Sequence, residues 1–395
     1  MSLPGSLFSL ARAGWVLARE GVISSLPSDG MPRSALALQR FAGWIERRGA
    51  RRKGRSERLS HALNRLGPSW VKLGQFLATR PDVVGKELAI DLERLQDAME
   101  PFPTADARAR VEESLGVTCD SVFSGFGDAV AAASVAQVHR AVLRRDGREV
   151  AVKVIRPGVR RRFRADLDTF YAAARLMEKH VAAMRRLRPV AVVDTLAQSA
   201  RIEMDLRLEA AAFSEIGENT VGDPGFRVPA VDWELTGRDC VTMEWVDGIK
   251  LSDISAIAAA GHDLNLIAAN LVQSFLRHTL RDGFFHADMH PGNLFVDAKG
   301  DIVAVDFGIT GRLGRKERRF LAEILYGFIR RDYYRVAMVH FEAGYVPRNH
   351  DVSSFAQAIR AIGEPIHGQS AETISMAKLL TLLFEVTELF DMQTR

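Results

Sequence analysis

Residues His286 to Gly308 read HADMHPGNLFVDAKGDIVAVDFG, and three polar side chains in this stretch could act together. Asn293 follows Asp288 by five residues, and Asp306 follows it by eighteen, directly before Phe307 and Gly308. An Asp, an Asn and a second Asp at these offsets suit phosphoryl transfer from a magnesium nucleotide. Asp288 would meet the attacking hydroxyl, while Asn293 and Asp306 offer hard oxygen donors to Mg²⁺ on the phosphates.

The elements that must hold these groups are legible around them. Leu294 to Val296 is apolar, Asp297 to Asp301 is a polar turn with Gly300, and Ile302 to Val305 is apolar again. That pattern predicts a hairpin with a reactive residue at each end.

Upstream, Glu149 to Ile155 reads EVAVKVI and predicts a strand with Lys153 among valines. A buried lysine needs a charge partner; a lysine reaching along the surface to water is the alternative. Val138 precedes Lys153 by fifteen residues and closes the run Ala131-Ala132-Ala133-Ser134-Val135-Ala136-Gln137-Val138. Its spacing is that of a phosphate-covering GxGxxGxV loop, with Ala131, Ala133 and Ala136 at the glycine places. Each left-handed alanine would cost about 1–2 kcal/mol. A tighter or partly helical turn is therefore expected, since alanine favours helix.

Residues 166 to 182 and 190 to 217 read as two long helices. On the second, Asp205 and Glu209 are four apart and share a face, with Glu203 on another side. Lys72 and Gln75, three apart in Trp70-Val71-Lys72-Leu73-Gly74-Gln75, share a helix face in apolar surroundings, and Lys72 asks for an acidic partner. The Ser60 to Glu100 region is helical in pattern, with breaks at Gly67-Pro68 and Pro81. A helix is expected from Thr104 to Leu115, then strands over Cys119 to Phe126 and Val135 to Leu143. Phe226 to Glu234 and Arg238 to Val246 read as two more strands. Glu244 to Val246 would form a hinge whose backbone groups face an adenine, before a helix start at Leu251-Ser252-Asp253.

The order is an alanine-substituted loop, a strand lysine, a helix carboxylate, a hinge, D-x4-N and DFG. In combination it argues for an α+β, protein-kinase-like bilobal fold. With VKLGQ at 71–75, AAAS at 131–134, Glu203 and Asp205, HADMHPGN at 286–293 and DFG at 306–308, the chain resembles the UbiB family of atypical kinases, linked to ubiquinone biosynthesis. The resemblance covers roughly residues 60 to 330. It implies that a KxGQ helical extension folds over the nucleotide site and that Lys72 meets the carboxylates of Glu203 and Asp205. It implies that Lys153 pairs with Glu209, and that ATP or ADP with Mg²⁺ is bound. Ala131, Ala132, Ala133, Ser134, Val138, Lys153, Glu209, Glu244 and Val246 are the nucleotide candidates. Ala287 stands where kinases carry an arginine, and no APE follows the DFG, so a peptide-substrate platform is not expected. A small-molecule phosphotransferase of the aminoglycoside or choline kinase type, and a nucleotide-sensing scaffold without turnover, are the alternatives.

Composition sets outer bounds. The chain has 395 residues, 47% hydrophobic and 26% charged, and a net charge of +4. That is enough for several core-bearing regions and too mild to argue for nucleic acid. The divisions expected are an amphipathic and basic arm (1–58), the KxGQ extension (59–112), an N-lobe with inserted helices (113–246) and a mostly helical C-lobe (247–395). Two cysteines, Cys119 and Cys240, without CxxC spacing fit a reducing compartment. No run of eighteen apolar residues predicts a membrane span, although many UbiB relatives end in apolar spans. Residues 6 to 23 place Leu7, Leu10, Ala11 and Trp15 on one helical stripe, and Arg47 to Arg58 holds a dense basic run. Both read either as ordinary packed or solvated segments or as contacts to an anionic membrane surface. The expected setting is the cytoplasmic face of a bacterial inner membrane. Quinone-precursor lipids and biosynthetic enzymes are the expected partners, and a homodimer is allowed for.

Overall fold

EVAVKVI forms strand β3, Glu149–Ile155, with Val150, Val152 and Val154 buried and Lys153 on the opposite face. Successive side chains alternate across a strand, so one face can be wholly apolar while the other carries a charge. In this computed structural model, residues 3–25, 33–80, 84–93, 99–180, 185, 187–369 and 373–392 are described. The chain divides into two units. The first comprises Met1–Ser214 and Pro229–Asp247, the second Glu215–Val228 and Gly248–Arg395.

The first unit holds β3 between β2 (Ala136–Leu143) and β6 (Cys240–Glu244), with β1 (Phe123–Ala132) and β5 (Val231–Asp232) at the edges. All pairings in this sheet are antiparallel. The β3 valines pack with Phe123, Ala141, Leu143 and Cys240 against Ala107 and Val111 of the helix Thr104–Leu115. Each valine, leucine or phenylalanine among them contributes about 1.5–3 kcal/mol by leaving water. Before that helix come α1 (Leu3–Arg19), α2 (Arg33–Ile45), α3 (Arg55–Leu66), α4 (Pro68–Ala78) and α5 (Lys86–Glu93). Leu59 and Leu63 of α3, Val71 of α4 and Leu92 of α5 form a second core. Numbering on, α6 is Thr104–Leu115, α7 Cys119–Val122, α8 Val159–His180, α9 Pro189–Glu203 and α10 Leu206–Asn219. Trp70 of α4 meets Phe170 of α8 edge-on at 4.8 Å between ring centres.

In the second unit, β4 (Phe226–Arg227), β10 (Ile302–Ala304), β9 (Leu294–Asp297) and β7 (Gly248–Lys250) form one sheet in that order. Strands β8 (Phe284–His286) and β11 (Thr310–Arg312) pair separately. Helices α11 (Ile254–Ala259), α12 (Leu264–Leu276), α13 (Arg315–Arg330), α14 (Tyr333–Ala343), α15 (Val352–Ile366) and α16 (Met376–Leu389) complete it. Tyr333, Val336, Phe355, Ile359 and Phe390 form its helical core. No helix among the described residues is long and apolar enough to cross a membrane.

Several expectations need correction. Cys119 to Val122 is a short helix, with the strand starting at Phe123. Cys119 and Phe123 are both buried at a four-residue spacing, and the Cys119 amide donates to Glu112 Oε1 at 2.8 Å. The 190–217 helix is two helices broken at Met204-Asp205, and the preceding helix starts at Val159 and is described to His180. Phe226 to Glu234 is two two-residue strands, one in each unit, separated by Pro229 and followed by a 3₁₀ turn at Trp233–Leu235. Proline cannot donate to a ladder, which ends the first strand. The basic run is not a simple linker: its second half begins α3, where Arg58 pairs with Glu46 at 2.9 Å and Arg55 with Asp91 at 2.7 Å. Among the described side chains of α1, Ala13 and Ala18 are buried and Trp15 is exposed. The break expected at Pro81 lies outside the described residues, as do residues 94–98 of the KxGQ region and 181–182 of the preceding helix.

Both thiols are buried and free. Burial pushes Cys119 up to about 11 and raises Cys240 as well. A disulfide-reagent titration at pH 8 should find both unreactive in the folded chain and both reactive after denaturation, because only the thiolate attacks.

Candidate active site

Lys153 sits opposite Val138 on one side and Val241 on the other in the sheet register. Its ammonium donates to Glu209 Oε1 of α10 at 2.7 Å, and both side chains are nearly buried. Removing one partner of such a pair would strand the other charge, which costs about 3–5 kcal/mol.

The alanine run is extended, not helical. β1 continues through Ala131 and Ala132, which face Val138 and Gln137 of β2. Ala133 N–H closes the reversal on Ala136 O at 2.8 Å, with Ser134 buried inside it. None of these alanines has a positive φ. The turn therefore avoids the left-handed backbone that glycine loops use, and it gains its shape from outside. Met99 N–H donates to Ala132 O at 3.1 Å, and the Arg156 guanidinium donates to Glu100 O and Ala133 O at 3.1 Å each.

Gln137, fully buried, clamps the same connecting segment. Its Oε1 accepts from Phe102 N–H at 2.9 Å, and its amide donates to Phe102 O at 3.1 Å. The amide also lies 2.8 Å from His139 Nε2, while His139 Nδ1 lies 2.8 Å from Gly127 O. Nε2 thus accepts and Nδ1 donates. Burial lowers the His139 pKa, in keeping with this neutral ring. The sequence reading did not single out Gln137, His139 or Arg156. A signal existed for the first two: they fall on the apolar face that Ala141 and Leu143 continue.

The α9–α10 break separates the three carboxylates. Lys72 of α4 is hydrogen-bonded to Glu203 at the end of α9, both side chains being about nine-tenths buried. Gln75, half-buried, lies one turn along α4. Asp205 is not on a helix with Glu209. Its carboxylate takes Arg207 Nε at 2.9 Å and Nη2 at 2.7 Å, with Arg238 at 3.9 Å. The Arg207 hydrogen bond, opposed by desolvation, holds Asp205 below the usual carboxylate range. The break has an identifiable cause: the Arg160 guanidinium captures Met204 O, and Leu206 N–H donates to Arg238 O at 3.1 Å, leaving the helix ladder.

The second unit carries the other group. The hairpin pairs Leu294 with Ala304 and Val296 with Ile302. This register sets Asn293 and Asp306 at the same end of the hairpin, and Val305 N–H donates to Asn293 O at 3.0 Å. Asp288 is exposed on the loop before it. Backbone bonds run from His290 N–H to Asp288 O and from Asn293 N–H to His290 O, both 2.8 Å. His286 Nδ1 accepts from Asp288 N–H at 3.2 Å, and its buried ring packs on Phe307, centres 4.9 Å apart. Asp306 Oδ1 accepts from Gly308 N–H at 2.9 Å. Gly283 permits the entry to this loop: its φ is +69°, in the left-handed region, and a Cβ would lie 2.5 Å from Leu313 O. Beyond DFG the chain passes directly through β11 into α13, so no activation-loop-length segment intervenes.

No cluster of three or more His, Cys, Asp or Glu side chains among the described residues could hold a metal by itself. Asn293 and Asp306 nevertheless fit Mg²⁺, which keeps water and phosphate oxygens and needs only one or two protein donors. At the end of β6, Glu244 N–H is taken by Ala230 O at 2.9 Å and Trp245 N–H by Glu149 O at 3.3 Å. Val246, half-buried, is the next residue along.

Comparison with known proteins agrees with the motifs. The ABC1 atypical kinase-like domain matches residues 94–340, and the UbiB helical domain matches 359–395. A "Probable protein kinase UbiB" of Marinobacter nauticus is 39% identical over 98% of this chain and 71% of its own length. That of Aeromonas hydrophila is 38% identical over 96% and 70%. The solved structure of the Mycobacterium tuberculosis protein Rv3197 in complex with erythromycin superimposes with a TM-score of 0.53, at 25% identity over 81% of this chain and 86% of that one. The fold is that of an atypical protein kinase with an N-terminal helical extension, and the chain belongs to the UbiB family of ABC1 atypical kinase-like proteins.

The Lys72–Glu203 contact can be weighed by a double-mutant cycle. Lys72→Ala and Glu203→Ala should each lower stability, and their combination should fall short of the sum by about 0.5–3 kcal/mol in urea unfolding. Strict additivity would show that the two side chains do not interact energetically.

Proposed function

We propose that this chain binds ATP or ADP with Mg²⁺ and uses the nucleotide in phosphoryl chemistry that supports ubiquinone biosynthesis at the inner membrane of a bacterium. The observation that carries this reading is the nearly buried Lys153–Glu209 ion pair, held on the strand next to the alanine turn. A lysine fixed in this way is a ready donor to α- and β-phosphate oxygens. The relatives' name, "Probable protein kinase UbiB", supports the link to ubiquinone biosynthesis.

In this reading Ala131, Ala132, Ala133, Ser134 and Val138 cover the phosphates, and Glu244 to Val246 offer backbone groups to the adenine. Asn293 and Asp306 would hold magnesium, which neutralises phosphate charge when bound. Asp288, exposed and held through its backbone, accepts the proton of the attacking hydroxyl or water. Lys72 and Gln75 on the 59–112 extension, with Glu203 and Asp205 at the α9–α10 break, form a lid over the nucleotide. Ala287 and the short path from DFG to α13 argue against broad protein phosphorylation and favour a restricted acceptor or ATP hydrolysis.

Magnesium nucleotide should raise the melting temperature, since ligand at a hundred times Kd stabilises by about 2.7 kcal/mol. Asp306→Asn should remove that shift; a shift unchanged by the substitution would end the role given to Asp306. In a strain lacking the chain's gene, wild type should restore ubiquinone measured by lipid profiling, and Asp288→Asn should not. Full restoration by Asp288→Asn would replace phosphoryl transfer with a scaffold that senses nucleotide.

A further inference from the structure

The outward faces of α1 and α2 carry large apolar side chains that no other described residue covers. Trp44 is 79% exposed and Phe8 74%, and Trp15, Leu38 and Phe41 are each more than half exposed. Leu38, Phe41 and Trp44 recur at three-residue spacing along α2, so they form one stripe, and the rings of Phe41 and Trp44 lie 6.3 Å apart. The two helices meet at their C-terminal ends, where Arg47 N–H donates to Arg19 O at 2.9 Å. Trp15 and Trp44 therefore sit about one turn from the same junction.

Charge is sorted across this junction. Glu20 is buried and pairs with Arg65 at 2.6 Å and Arg47 at 3.2 Å. Glu46 accepts from Arg58 at 2.9 Å and from Ser24 at 2.8 Å, also out of solvent. The carboxylates are turned inward, while Arg12, Arg40, Arg48, Arg51 and Arg52 are exposed. Residues 1–53 contain nine basic and three acidic side chains, a net +6 against +4 for the whole chain. Tryptophan beside an apolar helical stripe, with exposed arginines in the same segment, is the composition of a helix lying in a lipid headgroup layer. The thirteen residues of α2 are too few to span a bilayer, so the helix would lie along it.

We propose that α1 and α2 form a docking face for an anionic lipid bilayer, with Phe41 and Trp44 inserted among the headgroups and Arg40, Arg48 and Arg51 against their phosphates. This rests on the reading of the chain as a peripheral partner of the membrane, and it names the surface. It differs from the stripe legible in α1 alone, because α2 supplies most of the contact.

The test uses the full chain and vesicles of phosphatidylglycerol mixed with phosphatidylcholine, or of phosphatidylcholine alone. Wild type should co-sediment with the anionic vesicles and be released by high salt. Phe41→Ser/Trp44→Ser should weaken partitioning about tenfold or more. Arg48→Glu/Arg51→Glu should lose the preference for phosphatidylglycerol. Both variants should keep the wild-type melting temperature and its shift with magnesium nucleotide. Brominated phosphatidylglycerol should quench tryptophan fluorescence in wild type and quench it less in Trp44→Phe, a change that preserves packing. Equal partitioning and equal quenching in all variants would move the membrane contact elsewhere and overturn this face, leaving the peripheral reading intact. Absence of wild-type binding to any vesicle would overturn both. A dimer in vesicle-free solution that Phe41→Ser/Trp44→Ser dissociates would make the face a contact between copies and overturn the bilayer assignment.

Discussion

A charge set into a β-sheet governs the first unit. Lys153 lies on a strand whose other face is the apolar core of Val150, Val152 and Val154, and its ammonium has left most of its water behind. An ammonium in that position is tolerated only beside a carboxylate. Glu209 must therefore be delivered to the open face of the sheet, and α10 exists in its observed position relative to β3 because that contact has to be made.

The helix break follows from the same demand. On an unbroken 190–217 helix, Glu203, Asp205 and Glu209 would have fixed mutual directions. Breaking the ladder at Met204-Asp205 frees them: Glu203 meets Lys72 of α4, Asp205 takes two arginines, and Glu209 meets Lys153. Arg160 and Arg238 make the break affordable by occupying the backbone groups it exposes. One short interruption thus ties the KxGQ helix and the sheet lysine to a single pair of helices.

What could be read from the sequence was whatever depended on neighbours in the chain. The valine alternation around Lys153, the 294–304 hairpin with its polar turn, and Thr104–Leu115 ending at left-handed Gly116 are local patterns, and each is where the residues indicated. The need of Lys72 for an acid was legible too, as a consequence of its apolar surroundings. The α9–α10 break was not, because its causes, Arg160 and Arg238, are remote in sequence and act through backbone carbonyls. The alanine run was half legible: the penalty on left-handed alanine was sound, but the alternative to it is an extended turn braced by Met99 and Arg156, not a helix. On α1 the stripe ending at Trp15 matched helical spacing, yet the small residues Ala13 and Ala18 face inward, since close helix packing favours them.

That bracing alters the thermodynamics of the alanine turn. A glycine-rich loop keeps many backbone states until a ligand orders it, at about 1–2 kcal/mol of entropy per residue fixed. Here Ala132 and Ala133 have their carbonyls engaged, and Gln137 anchors the following strand to Phe102. The disorder is lost once, during folding, so a molecule arriving at the turn meets a surface already set. Its shape belongs as much to the segment 99–102 as to the alanines themselves, and a displacement of that segment would reach the turn without any change in the residues that form it.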